Sequence, residues 1–102
     1  AMSRIIKLVK KRNKNKKKPN TRAKFICSLT VCFNLNKTIT VAGEIRGKIS
    51  NKILGKNGFG YDSIFIPNNF SQTFGQMGKR KKMLLDHRYI AFKKLKKKIN
   101  TL

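Results

Sequence analysis

The segment AKFICSLTVCF, residues 23–33, has a hydrophobic period of two. Its odd-numbered positions, from Ala23 to Phe33, are all apolar, whereas Lys24, Ser28 and Thr30 occupy even-numbered positions. Successive side chains of a β-strand point to opposite faces of the sheet. The pattern therefore predicts a long strand with one buried face.

A second strand is expected directly after the first. Asn34-Leu35-Asn36 is typical of a hairpin connection, and residues 37–45 are again rich in β-branched side chains. These two segments predict an antiparallel pair. Three glycines between residues 43 and 55 then indicate a bent or bulged strand that leads into a turn at Gly58.

The remainder of the chain predicts one more strand and a helix. Ser63-Ile64-Phe65-Ile66 has the composition of a short strand that Pro67 would end. Asp86 is a good N-cap for a helix from about His87 to Ile99. The apolar positions of this helix recur on one face, at Phe92, Leu95 and Ile99. Antiparallel strands followed by a C-terminal helix indicate an α+β fold.

The charge of the chain is unusually high. Its 102 residues contain 26 basic and three acidic side chains, which gives a net charge of +23. Such an excess attracts polyanions. However, lysines outnumber arginines and are spread over every segment, whereas arginine is the better residue for bidentate phosphate and guanine contacts. Compositional bias is therefore the favoured explanation of the charge.

Residues 1–20 contain nine basic residues and no acid. Blocks of like charge are usually disordered, so this segment is expected to be a flexible, basic N-terminal region. Residues 21–102 then make up the second part of the chain.

The two cysteines predict neither a disulfide nor a metal site. Cys27 and Cys32 lie in one strand at an odd separation, so their side chains should point to opposite faces. No CxxC spacing accompanies them. No apolar run approaches the roughly 18 to 20 residues that span a bilayer. Reduced thiols and the lack of such a run predict a soluble, cytoplasmic protein.

The motif GFGYD, residues 58–62, and the later residues Lys82 and Asp86-His87-Arg88 point to a purine nucleotide site. A Gly-X-Gly turn lets backbone approach a ligand, and aromatic rings beside it can stack on a base. Lysine, histidine and arginine supply donors for phosphate and carbonyl oxygens. Either motif alone is more often a tight turn or a solvated helix start, but the ordered pair favours binding.

Together, GKNGFGYDSIFIP at residues 55–67, TFGQM at residues 73–77, Lys82 and DHR at residues 86–88 resemble the inosine triphosphate pyrophosphatase family. The resemblance runs from about Arg22 to Leu95 and corresponds to the C-terminal half of a typical member. It implies that residues 21–102 form the C-terminal half of that family's nucleotide-binding domain, with part of its mixed α/β sheet.

The resemblance also implies a substrate and a site. The substrate would be a purine nucleoside triphosphate with a deaminated base (ITP, dITP or XTP), hydrolysed with Mg²⁺ to the monophosphate and pyrophosphate. A histidine and an arginine would donate hydrogen bonds to the keto oxygen at C6 of hypoxanthine or xanthine. Adenine has an amino group at C6, so donors would face a donor and adenine would be disfavoured. Guanine shares that keto group, so its exclusion is not explained. The implied substrate-binding residues are Phe59, Gly60, Tyr61, Asp62, Lys82, His87 and Arg88. A slip of one residue in the basic run would transfer the role of Lys82 to Lys81.

Several positions depart from the family pattern. Asp86 replaces the usual serine, Ser63 the usual proline, Gln76 the usual glutamate and Leu54 the usual arginine. The family's triphosphate-binding and Mg²⁺-binding residues belong to its N-terminal half and have no counterpart here. Because Glu44, Asp62 and Asp86 are the only carboxylates, no metal site and no catalytic residue is predicted.

The leading interpretation is a truncated or split pyrophosphatase, whose base-recognition half is inactive alone. Its partner would be either a separate N-terminal half or a second copy in a homodimer. A second interpretation is a small basic protein that binds nucleic acid nonspecifically through its lysine-rich ends. A third is the product of a decaying gene. Whether the chain is itself an enzyme stays open.

Overall fold

The structure is a computed structural model and describes residues 1–101. Its strands form one three-stranded sheet in the order β1-β2-β3. The predicted α+β architecture, with antiparallel strands ahead of a C-terminal helix, is confirmed. In chain order the elements are α1 (Met2–Asn13), β1 (Arg22–Asn34), β2 (Lys37–Ile49), a 3₁₀ turn (Asp62–Ile64), β3 (Phe65–Pro67), a second 3₁₀ turn (Phe74–Gln76), α2 (Lys79–Leu85) and α3 (His87–Asn100).

The chain divides into two compact units. The first unit comprises Ala1–Lys24 and Arg46–Lys82, and the second comprises Phe25–Ile45 and the residues from Met83 onward. The N-terminal segment that was predicted to be flexible contains α1, in which Ile6 is buried. The flexibility of residues 1–20 and a domain boundary at residue 20 stay predictions.

The alternation in β1 is confirmed. Odd-numbered residues from Ala23 to Val31 are half-buried and the even-numbered residues between them are exposed, although Phe33 at the end of the pattern is also exposed. The hydroxyl groups of Thr30 and Thr40 lie 2.8 Å apart and join β1 to β2.

Cys27 is half-buried and Cys32 is exposed, and both are free thiols, as the odd spacing predicted.

Strand β2 includes the first part of the glycine-containing segment that was expected to be a bent or bulged strand. It continues through Gly47 to Ile49. Residues 47–49 pair with residues 65–67 of β3 in antiparallel register, so β3 supplies the hydrogen-bonding partners that extend the strand. A Cβ atom at Gly47 would collide with the carbonyl oxygen of Ile66, so the glycine permits this close pairing.

The third strand begins later than predicted. Ser63 and Ile64 lie in a 3₁₀ turn, and Pro67, which was expected to end the strand, belongs to it. The N–H groups of Asp62 and Ile64 donate to carbonyl oxygens three residues earlier, which closes the turn. Strand β3 lies at an edge of the sheet, where the missing N–H of proline is tolerated.

Asp86 caps α3 as predicted, since its Oδ1 accepts a hydrogen bond of 2.9 Å from the N–H of Tyr89. The predicted apolar face of this helix was wrong in detail. Phe92 and Ile99 are exposed, and the buried residue of α3 is Ala91. The reason is a close backbone approach within the second unit: a Cβ at Gly43 of β2 would collide with the backbone of His87 and Ala91. Only a small side chain fits at that crossing.

We expect Gly43→Ala to destabilise the protein by about 1 to 3 kcal/mol, because α3 would have to move away from β2. The matched control is Gly78→Ala, since a Cβ there meets no atom within 4 Å. The midpoint of urea-induced unfolding, followed by circular dichroism, measures both effects. Equal midpoints for the two variants would contradict the proposed helix–strand contact.

Candidate nucleotide-binding site

The turn Gly58–Asp62 is held in one conformation by its own carboxylate. Gly58 and Gly60 have φ angles of +76° and +62°, a region that favours glycine. The Oδ2 atom of Asp62 accepts a hydrogen bond of 3.0 Å from the N–H of Phe59. A Cβ on Gly58 would collide with this carboxylate. The sequence motif is thus a tight turn closed around a buried aspartate.

Lys82 of α2 is the second element of the site. Its Nζ atom lies 3.3 Å from the Oδ2 atom of Asp62, and the two side chains are only 10% and 6% exposed. The same ammonium group lies 5.0 Å from the ring centroid of Phe59 and 5.8 Å from that of Phe74. Cation–π attraction and the ion pair therefore act on one buried charge.

The alternative residue Lys81 is placed differently. It is exposed, and its Nζ atom lies 5.2 Å from the ring centroid of Phe70. Of the two lysines that the sequence left open, Lys82 is therefore the one that contacts the turn. Helix α2, which sequence reasoning treated only as a basic run, directs the two side chains to different surroundings.

The aromatic residues of the motif expose large apolar surfaces. Phe59 is 59% exposed and Tyr61 is 44% exposed. The core of the same unit includes Ile64, Phe65 and Phe74, which are fully buried. Phe65 and Phe74 pack with their ring centroids 5.4 Å apart. The first unit thus has a packed core and two exposed aromatic rings, which are suited to stacking on a base.

A network of hydrogen bonds supports the turn from below. The hydroxyl group of Thr73 donates to the carbonyl oxygen of Leu54 at 2.6 Å. Thr73 and Gln76 also form a capping box, in which each side chain accepts from the other residue's N–H group. A glutamine satisfies this geometry as a glutamate would, so the departure at Gln76 preserves the local structure.

The departure at Ser63 adds a hydrogen bond beside a close approach of the chain. The hydroxyl group of Ser63 donates to the carbonyl oxygen of Gly55 at 2.9 Å. A Cβ at Gly75 would collide with the same hydroxyl and also with the backbone of Ser63 and Leu54. The close approach of these segments therefore requires glycine at residue 75. Sequence reasoning missed this contact, although the glycine itself was the available signal.

Asn57 also supports the turn, a role that the sequence did not predict. Its Nδ2 atom donates to the carbonyl oxygen of Met77 at 2.9 Å, and its backbone N–H donates to the carbonyl oxygen of Gly75 at 2.9 Å. Asn57 therefore ties the start of the turn to the second 3₁₀ turn. Only its position next to Gly58 could have suggested this role.

His87 and Arg88 belong to the second unit. His87 is half-buried with a buried Nδ1 atom, and its ring meets Phe25 edge-on at a centroid distance of 5.2 Å. Arg88 is exposed at the start of α3. The structure therefore brings Phe59, Asp62 and Lys82 together in the first unit. In the second unit, His87 and Arg88 are the first residues of α3, which Asp86 caps.

The two buried carboxylates of the chain do not fit a magnesium site. Asp62 is buried against Lys82, and Asp86 is buried as a helix cap. Hard cations such as Mg²⁺ bind through accessible carboxylate and water oxygens. Among residues 1–101 no group of three histidine, cysteine or acidic side chains could hold a metal ion. The buried carboxylates therefore offer no ligand set for a metal ion.

Within the same residues, no helix is long and apolar enough to cross a membrane.

Comparison with known proteins identifies the family. The model of the Ham1 family matches residues 1–98. The chain belongs to the Ham1 family. Curated relatives named dITP/XTP pyrophosphatase include those of Bdellovibrio bacteriovorus, 40% identical over 83 residues, and Clostridium tetani, 37% identical over 82 residues. These matches cover 81% and 80% of this chain but 42% and 41% of the two relatives.

Solved Ham1 structures agree with the fold. The Staphylococcus aureus Ham1 protein superimposes with a TM-score of 0.81 at 27% identity, over 99% of this chain and 52% of that chain. A HAM1 protein from Coxiella burnetii gives the same TM-score at 25% identity. The predicted resemblance and the expected half-length match are thereby confirmed. The chain spans about two fifths of the curated relatives and about half of the solved structures.

We expect Lys82→Met to destabilise the protein by about 3 to 5 kcal/mol, because it leaves the buried carboxylate of Asp62 without its cation. Lys81→Met removes the same charge from an exposed position and should change stability by less than about 0.5 kcal/mol. Urea unfolding of both variants measures the difference. The ion pair would have no structural role if both variants unfolded at the midpoint of the parent protein.

Proposed function

We propose that this chain is the base-recognition part of a pyrophosphatase for purine nucleoside triphosphates with deaminated bases. Membership of the Ham1 family and the names of the relatives support this function. The single observation that carries it is the turn Gly58–Asp62, which is fixed by Asp62 and Lys82 and presents two exposed aromatic rings.

The residues of the first unit have distinct roles in this proposal. Phe59 stacks on the purine, and Gly60 and Tyr61 form the adjoining wall. Asp62 accepts a hydrogen bond from the base or sugar edge. Any nucleotide contact by Lys82 is made by an ammonium group that is already paired with Asp62. Substrate binding is therefore coupled to the conformation of the turn.

We assign His87 and Arg88 to recognition of the base, because the family resemblance implies that role. Their N–H donors would face the keto oxygen at C6 of hypoxanthine or xanthine. Adenine carries an amino group there, so donors would face donors and buried polar atoms would lose their partners. Discrimination against adenine follows from this pairing, whereas discrimination against guanine requires another contact.

The parent reaction in this proposal is hydrolysis of dITP, ITP or XTP to the monophosphate and pyrophosphate, in the cytoplasm and with Mg²⁺. Phosphoryl chemistry depends on a positioned metal and fixed charges. Since the acidic residues Asp62 and Asp86 hold structural positions, the residues of a separate N-terminal half would hold the metal and the attacking water.

The observations on this chain favour no rival function. A nonspecific nucleic-acid-binding protein was the alternative from composition, but the family match and the structural matches give it no support. Its charge is explained equally well by lysine enrichment throughout the chain.

Base recognition is tested by binding of dIMP, with dAMP as the competing base. We expect the chain to bind dIMP more tightly, and Phe59→Ala to weaken that binding by about tenfold, because one stacked base contributes about 1 to 3 kcal/mol. Phe33→Ala, which also removes an exposed ring, is the matched control. Saturation-transfer NMR and fluorescence titration measure the affinities. Equal binding of both bases, or equal loss in both variants, would contradict the assigned pocket.

Catalysis is tested separately by pyrophosphate release. The purified chain with dITP and Mg²⁺ at alkaline pH should release pyrophosphate no faster than it does from dGTP and dATP. Rapid and selective release from dITP would show that these 102 residues contain the catalytic groups. It would refute the proposal that this chain recognises the base but lacks those groups.

A further inference from the structure

A basic groove lies within the second unit, between β2 and the C-terminal half of α3. Its volume is about 620 Å³, and three of its seven lining residues are lysines. None of the seven belongs to the predicted purine site. The lining residues are Thr40, Val41, Ala42, Lys94, Lys97, Lys98 and Thr101.

The helical repeat brings the three lysines to one side of α3. Lys97 and Lys98 follow Lys94 by three and four positions, the spacing of neighbours on a helix face. The Nζ atom of Lys94 donates to the carbonyl oxygen of Ala42 at 2.9 Å. This bond holds one ammonium group against β2, and two further lysines line the same groove.

The charges in this groove have no acidic partner on their own helix. Residues 87–101 contain no aspartate or glutamate, and Asp86 caps the opposite end of α3. Like charges three and four positions apart repel. The carbonyl groups at the helix C-terminus offset only about half an elementary charge. A multivalent anion in the groove would relieve the remaining repulsion.

The lining favours a phosphate chain over a nucleic acid. Lysine binds phosphate as a point charge, whereas sites for single-stranded nucleic acids typically add aromatic rings on which bases stack. The seven lining residues include no aromatic side chain and no arginine. Linked phosphate groups carry several charges in a short length, which matches lysines within one turn of a helix.

We propose that this groove is an anion site for a short linear polyphosphate, held by Lys94, Lys97 and Lys98. The site goes beyond base recognition, and its existence does not depend on that function. The probe is inorganic triphosphate, titrated calorimetrically at constant ionic strength into the 102-residue chain.

The test compares two double variants of equal charge. Lys97→Gln with Lys98→Gln removes two lysines of the groove, whereas Lys93→Gln with Lys96→Gln removes two lysines of α3 that do not line it. We expect the first variant to bind triphosphate about tenfold more weakly and the second less than about threefold, since localised charge-assisted contacts exceed diffuse attraction. Far-ultraviolet circular dichroism should confirm that both variants retain the helix.

A measurement on the parent chain does not rely on mutation. Triphosphate should shift the backbone amide resonances of Val41 and Ala42 more than those of β3. Equal weakening in the two double variants, or shifts spread evenly over the chain, would overturn the site in favour of diffuse charge. Loss of oligothymidylate binding in the groove variant, with triphosphate binding unchanged, would overturn the choice of ligand.

Discussion

The buried contact between Asp62 and Lys82 is the interaction on which the proposed nucleotide surface depends. The carboxylate closes the turn through the N–H of Phe59, and the ammonium group joins that turn to α2. Two charges at such low exposure are costly to desolvate and become acceptable only as a hydrogen-bonded pair. The two positions are therefore coupled. Removing either charge leaves the other buried without its partner, which destabilises the folded state.

Glycines permit close contacts between segments at several places in the structure. Gly43 allows α3 to approach β2, Gly47 allows close pairing with β3, and Gly75 leaves room for the hydroxyl group of Ser63. In each case the neighbour is backbone or a short side chain that cannot move far. A chain with few large buried side chains gains cohesion by bringing its elements close together, because short separations recover dispersion contacts.

The scarcity of acidic residues shapes the electrostatics of the whole chain. Three carboxylates face 26 basic side chains, and two of the three are buried in structural positions. Most lysines therefore carry solvated charge that raises the self-repulsion of the folded state. The same excess makes anions the natural ligands of this surface, and geometry rather than net charge has to distinguish a specific site from general attraction.

The sequence alone determined the elements whose signals are local. The period of two in β1 and the cap at Asp86 depend on neighbouring residues, and both were predicted correctly. The family was also recognisable, because its motifs occur in order and with suitable spacing. The separation of Cys27 and Cys32 likewise needed only the alternation of a strand.

Only the tertiary structure decided features that depend on contacts between distant residues. The pairing with β3 extended β2 to Ile49, and the approach at Gly43 selected Ala91 as the buried residue of α3. The choice of Lys82 over Lys81 required the position of Asp62, 20 residues away in sequence. A sequence pattern states which side chains share a face, but the burial of that face depends on what packs against it.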